Sequence, residues 1–138
     1  MASGLYNRLK YNWMKKLVDL STDTCKVILL TTSHAFNADH NVLTDVSTNE
    51  LAATGNYVTG GASIGTPTVS QDDTNDCATF DGLDVAWTSA TFTAYHAVIY
   101  DTTVSNNLVA SIDFGGAKSV SAGTFTIQWS GNGIIRLS

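Results

Sequence analysis

Apolar positions recur every four residues near the start of this chain and every two residues through most of the remainder. Leu5, Leu9, Trp13 and Leu17 form one stripe, with Arg8, Lys15 and Lys16 falling mainly elsewhere. The spacing predicts an N-terminal helix capped by Ser3 and running to about Val18. Asp19 to Asp23 is expected to turn the chain. Cys25 to Thr31 reads as a strand that is apolar on both faces except for Lys26 at its start. The stretch Thr91 to Tyr100 carries Phe92, Ala94, His96, Val98 and Tyr100 on one face and Thr91, Thr93, Tyr95, Ala97 and Ile99 on the other. Neither face is charged, as expected of a central strand covered on both sides. Cys25 to Thr31 is its expected neighbour, and the Leu5-Leu9-Trp13-Leu17 stripe its expected cover on one side.

Other segments are shorter. Ser33 to Ala53 lacks strand alternation and reads as a surface excursion suited to contact or variability. Ala62 to Val69 is a weak Thr-rich strand whose proline, Pro67, argues for a sheet edge. Gln71 to Asp76 is a turn, followed by strands at Cys77 to Phe80 and Val85 to Trp87, with Asp81-Gly82 turning between them. Leu108, Ala110, Ile112 and Phe114 are expected inward, with Val109, Ser111 and Asp113 outward, before Gly115-Gly116 breaks the strand. Phe125, Ile127 and Trp129 are expected inward on a further strand. Gly131-Asn132-Gly133 reads as a hairpin turn into Ile134 to Leu137. The sum is a mainly β chain, a single domain over 1–138, with a helix in 1–18 and a β domain over 25–138. Its expected architecture is an antiparallel β-sandwich or barrel-like sheet with one N-terminal α-helix.

Composition narrows the partners. Charged residues are 14% of the chain, well below the usual quarter, while Ser and Thr together make up roughly a quarter. The net charge is -5, and the pI near 4.8 argues against nucleic acid as a partner. Arg8, Lys10, Lys15 and Lys16 gather in the first sixteen positions, whereas between Val27 and Ile135 Lys118 stands against ten acidic residues. A basic N-terminal segment beside an acidic body favours docking onto a protein partner or head-to-tail association, although a solvated helix face has the same pattern. No apolar run reaches membrane-spanning length, so no membrane partner is expected. The N-terminus lacks the basic and apolar regions of a secretory signal. Cys25 and Cys77 lie in apparent strands far from CxxC spacing and are expected to be buried and reduced.

Candidate chemistry is thin. Asp72, Asp73, Asp76, Asp81 and Asp84 could supply oxygens to a hard cation, but they lack the alternation, central glycine and closing glutamate of an EF-hand, so turn formation is expected. His34, Asp39 and His40 share a loop without a zinc spacing. His96 is expected to be a core or interface histidine bonded to a backbone group. There is no Gly-x-Ser-x-Gly elbow and no phosphate-binding glycine loop. No catalytic, cofactor-binding or metal-binding residue is assigned, no cofactor is expected, and no enzyme is expected. Trp and Tyr on an all-β chain could serve a carbohydrate-binding module, but the alternation around Trp87 and Trp129 points both inward.

The phrases Asp19-Leu20-Ser21-Thr22-Asp23-Thr24 with Lys26-Val27, Gly60-Gly61-Ala62, Gln71-Asp72-Asp73-Thr74-Asn75-Asp76, Ala97-Val98-Ile99-Tyr100, Ile112-Asp113-Phe114-Gly115 and Phe125-Thr126-Ile127-Gln128-Trp129 occur in this order. Together they resemble a family of small structural proteins of tailed double-stranded-DNA bacteriophages and prophages, over nearly the whole chain. The resemblance implies a non-enzymatic virion component made in a bacterial cytoplasm. A capsid decoration or cement protein comes first, and a tail, neck or fibre-associated protein second. It implies the major capsid protein or other virion proteins as partners, together with homo-oligomerisation. Tyr6, Arg8, Lys10, Lys15 and Lys16 are the residues expected near a protein contact.

Overall fold

The computed structural model describes residues 3–138. The chain is mainly β, with two antiparallel sheets and one helix near the N-terminus, an arrangement consistent with a β-sandwich. The elements are β1 (Gly4–Leu5), α1 (Asn7–Met14), β2 (Cys25–Leu30), β3 (Ala62–Ser63), β4 (Thr68–Asp72), β5 (Cys77–Asp81), β6 (Val85–Asp101), β7 (Asn107–Ile127) and β8 (Ile135–Leu137). The larger sheet runs β1-β7-β6-β2-β3, and the smaller runs β4-β5-β8.

Thr91 to Tyr100 is indeed central, as part of the 17-residue β6, with β2 on one side and the 21-residue β7 on the other. Val27, Ile28, Leu29 and Leu30 are fully buried in succession, so both faces of β2 are covered. At about 1.5–3 kcal/mol for each such side chain, this run is a large part of the driving force. One face holds Val27, Leu29, Ala97 and Ile99 in a cluster shared with Phe80 and Ile135 of the smaller sheet. The other holds Ile28, Leu30, Val98 and Tyr100 against Tyr6 and Val46.

Several expectations change. The expected break at Gly115-Gly116 is a bulge inside β7. Ala94 pairs with Lys118 and His96 with Asp113, so Tyr95 alone faces Phe114 to Ala117. The two glycines absorb the excursion at φ 76° and 147°, where a side chain would be strained. The inward-outward alternation of Leu108 to Phe114 also fails. Leu108 through Ser111 are all buried, and a second bulge between Ile99 and Tyr100 moves Leu108 to the opposite face from Ala110. Val85 to Trp87 is the start of β6, and Phe125 and Ile127 end β7. Gly131 to Gly133 does not close a hairpin onto β7: β8 pairs with β5 instead. Pro67 directly precedes β4, an edge strand.

The helix is shorter than its stripe. Ser3 does not cap it: Gly4 and Leu5 pair with Ser111 and Ala110 of β7, and Ser3 Oγ accepts the Asp113 N–H at 2.9 Å. The helix stops at Met14 because Lys16 turns left-handed, at φ 57°. The Leu17 N–H then donates to the Asn12 carbonyl at 2.9 Å and the Lys16 N–H to the Trp13 carbonyl at 3.2 Å, the two bonds of a Schellman motif. Leu17 is consequently half-exposed, at 51%. Leu9 joins the core and Trp13 packs against it. The helix lies against β7 rather than over β6, held there by Asn12 Nδ2 donating to Asn107 Oδ1 at 2.9 Å in the interior.

The Ser33 to Ala53 excursion is a working part of the fold. It buries Val46 and His34, and Phe36 and Leu43 pack on the second core. Two 3-10 turns, Leu43–Asp45 and Ser47–Asn49, shape it. Glu50 then fastens the following loop: its Oε1 accepts from the Tyr57 hydroxyl and the Gly60 N–H, both at 2.7 Å. The Tyr57 oxygen in turn accepts the Leu29 N–H at 3.0 Å.

Candidate functional site

The five expected contact residues divide. Tyr6 is fully buried. Its N–H donates to Val109 at 3.1 Å, and its ring meets Phe36 edge-on at 5.2 Å. Burial pushes its hydroxyl up to about 12. Tyr6 is therefore a core residue, and the expectation that it lies at a contact is corrected. Its place directly after β1 turns its side chain under the Phe36 loop. Lys10, Lys15 and Lys16 are exposed, while Arg8 is half-buried, with its guanidinium carbon 5.6 Å from the Tyr11 ring centre. Lys16 lines a groove of about 410 Å³ with Trp13, Leu20, Val69, Phe80 and Leu137. Lys16, just past the helix end, is thus the one basic residue lining this largely apolar groove, and Asp19 lines it as well.

Of the acidic residues Asp72 makes a turn, whereas Asp84 Oδ1 accepts the distant Trp129 N–H at 2.9 Å. Asp72 Oδ1 accepts the Thr74 and Asn75 N–H groups at 3.1 Å, and its Oδ2 accepts Asn75 Nδ2 at 2.7 Å. These bonds hold the Asp72 carboxyl below its usual range, the Asn75 side chain having the largest effect. Among the described residues no group of three or more His, Cys, Asp or Glu side chains is placed to hold a metal ion. Cys25 is buried, Cys77 is half-buried, and neither is in a disulfide. Burial pushes the Cys25 thiol up to about 12, with Asp101 and Asp23 adding to it.

The histidines do gather, in a combination the sequence does not announce. His34 Nε2 lies 3.0 Å from Ser111 Oγ, and the His34 ring meets His96 edge-on at 5.1 Å. His96 Nδ1 stands 3.7 Å from Asp113 Oδ1. The expected backbone bond to His96 is not what this nitrogen makes: it is buried with no hydrogen-bond partner among the described residues. Burial, then the neighbouring His96, depresses His34 to about 4, so its ring is neutral at pH 7. His40 stays apart, half-buried, and Asp39 instead accepts from Asn7 Nδ2 at 2.9 Å. Ser111 and His34 have a nucleophile-base distance, but Ser111 is 2% exposed and the cluster's carboxylate sits against His96. The arrangement serves to fasten the excursion onto β6 and β7.

Aromatic side chains are spent similarly. Trp87 is buried, as its alternation predicts, in a cluster with Tyr57, Phe92 and Phe125 at centroid separations of 5.0 to 6.4 Å. Trp129 is half-buried, and its indole N–H donates to the Leu83 carbonyl at 2.9 Å. A second groove, of about 570 Å³, runs beside β7 between Phe114, Phe125, Trp129 and Ile134. Apart from Ser3 its lining comes from residues 112–134, where β7 and the segment after it fold beside one another. Comparison with family models, curated proteins and solved structures finds no match to this chain.

Proposed function

We propose that this chain is a non-enzymatic structural component of a tailed-bacteriophage virion, a capsid decoration or cement protein that stabilises the shell by binding across its subunits. The observation that carries this reading is the surface of the β6–β7 ribbon. From Ala117 to Thr126 the outer edge of β7 has no neighbouring strand among the described residues, and its residues are small, hydroxylated or apolar apart from Lys118. An open, weakly charged edge is a template for contact with another chain. The resemblance to small phage structural proteins supports the same reading. So does the fate of the polar clusters, since Asp72 closes its own turn and the His34-Ser111 pair holds a loop to β7. The exposed Lys10 and Lys15 supply a second surface for an acidic protein partner. Binding to assembled shells and not to free subunits would raise shell stability by mass action.

The test is to prepare shells lacking this chain, add the purified protein, and follow thermal disruption. Saturable binding with a higher disruption temperature is expected. Failure to bind, with an unchanged transition, would refute the cement role.

A further inference from the structure

We infer that two copies of this chain pair through their β7 edges, antiparallel across a two-fold axis between Ser121 and Ala122. The inference names the self-association surface within the assembly reading above and rests on that reading.

The pattern of facing residues along β7 is symmetric about this point. Lys118, Val120, Gly123 and Phe125 pair with Ala94, Phe92, Ala90 and Trp87 of β6, so all four lie on the core side of the sheet. Ser119 and Thr126 pair with Thr93 and Ala86 and lie on the opposite, solvent side. An unbroken alternation could not be symmetric about a peptide bond. The bulge between Ala90 and Phe92, where Ser121 and Ala122 face Thr91, makes it so. Antiparallel pairing about that bond then sets Lys118 opposite the partner copy's Phe125 and Val120 opposite its Gly123, with like faces together as a continuous sheet requires. The contact is isologous, the form a two-fold dimer needs.

Electrostatics select the same edge. Each copy has a net charge of -5, so copies repel over most of their surfaces. Residues 114–128 hold no acidic residue. Lys118 and its symmetry mate would stand about seven residues apart along the strand, roughly 23 Å, beyond two Debye lengths at physiological salt. The edge of β4, also open, ends instead in Asp72 and Asp73. The groove lined by Phe114, Phe125 and Trp129 runs beside the β7 edge; the partner's core-side residues would extend its wall and remove apolar area from water.

Sedimentation equilibrium on the full chain tests this. The wild type is expected to be a dimer. Ser119→Lys with Thr124→Lys places lysines opposite each other twice across the axis, and should weaken association by about a hundredfold or more with an unchanged far-UV circular dichroism spectrum. The same charges on the β4 edge, Thr68→Lys with Ser70→Lys, should leave the dimer intact. Ser121→Cys should form a disulfide-linked dimer on mild oxidation. A monomeric wild type at about 0.5 mM, well above the range of specific dimers, or a β7 double variant that dimerises like the wild type, would overturn the inference. A monomer that still binds shells overturns this pairing alone. A dimer that fails to bind them overturns the cement role and leaves the pairing standing.

Discussion

Asp23 and Asp101 bring two carboxyl groups together in the interior, where β2 begins and β6 ends. Burial, then the contact with Asp23, raises Asp101 from 3.8 to about 7, so the pair retains a proton close to neutrality. Asp101 Oδ1 meanwhile accepts the Thr103 and Val104 N–H groups at 2.9 and 3.2 Å, closing the β6–β7 connection. Between about pH 4 and pH 7 the folded chain holds more protons here than the unfolded chain. This contribution to stability therefore declines as pH rises through that window and levels off above it. Asp101→Asn keeps the accepting oxygen and cannot ionise. Thermal melts should show the variant gaining on the wild type as pH rises, whereas parallel curves would contradict a shared proton.

His34 works in the opposite direction. Its folded value, about 4, lies below the ordinary 6.5, so its contribution is present above pH 6.5 and is lost as pH falls toward 4. Proton-detected titration of the His34 ring should give a midpoint near 4, and a midpoint near 6.5 would show that the ring is not buried against His96. Removing its partner with Ser111→Ala should cost about 1–3 kcal/mol, since the imidazole nitrogen is left buried and unpaired.

The two ends of the apolar inventory should respond very differently to truncation. Leu29 is fully buried on β2, and Leu29→Ala should cost about 2–5 kcal/mol in chemical denaturation. Leu17→Ala removes a side chain that is half-exposed beyond the helix end and should change stability by less than about 0.5 kcal/mol. Equal losses would mean that the helix continues along its full apolar stripe.

Glycines and the helix terminus give a backbone test. A Cβ at Gly61 would meet the Val27 carbonyl oxygen at 1.8 Å, at a backbone φ of 73°, so Gly61→Ala should displace β3 or prevent folding. Gly115 has a similar φ of 76° with open space around it, and Gly115→Ala should cost only about 1–2 kcal/mol of left-handed strain. Lys16→Gly relieves the same strain at the Schellman turn and should stabilise by about 1 kcal/mol. Urea midpoints for the three variants decide the ranking.

Much of the fold is legible in the sequence where apolar pattern and local geometry agree. The two-sided apolar run Thr91 to Tyr100 and its partner Cys25 to Thr31 identify the central pair correctly. The pattern misleads where one left-handed residue intervenes. Lys16 occupies a position that glycine usually marks, so the stripe through Leu17 overstates the helix. Gly115-Gly116 reads as a strand end because composition does not distinguish a turn from a bulge. Tyr6 is apolar enough for the core and polar enough for a surface, and only its position after β1 decides between them. The His34-Ser111 and Asp23-Asp101 contacts join residues 77 and 78 positions apart, separations over which no local signal acts. The symmetric facing pattern around Ser121 depends on a bulge, so residue alternation alone conceals it.

The most direct test of the assembly reading is a cryo-electron microscopy map of intact particles produced from a genome carrying this sequence. Density for the two-sheet domain is expected on the outer shell, bridging neighbouring capsid subunits. Particles that form without this chain anywhere in the shell, neck or tail would contradict it.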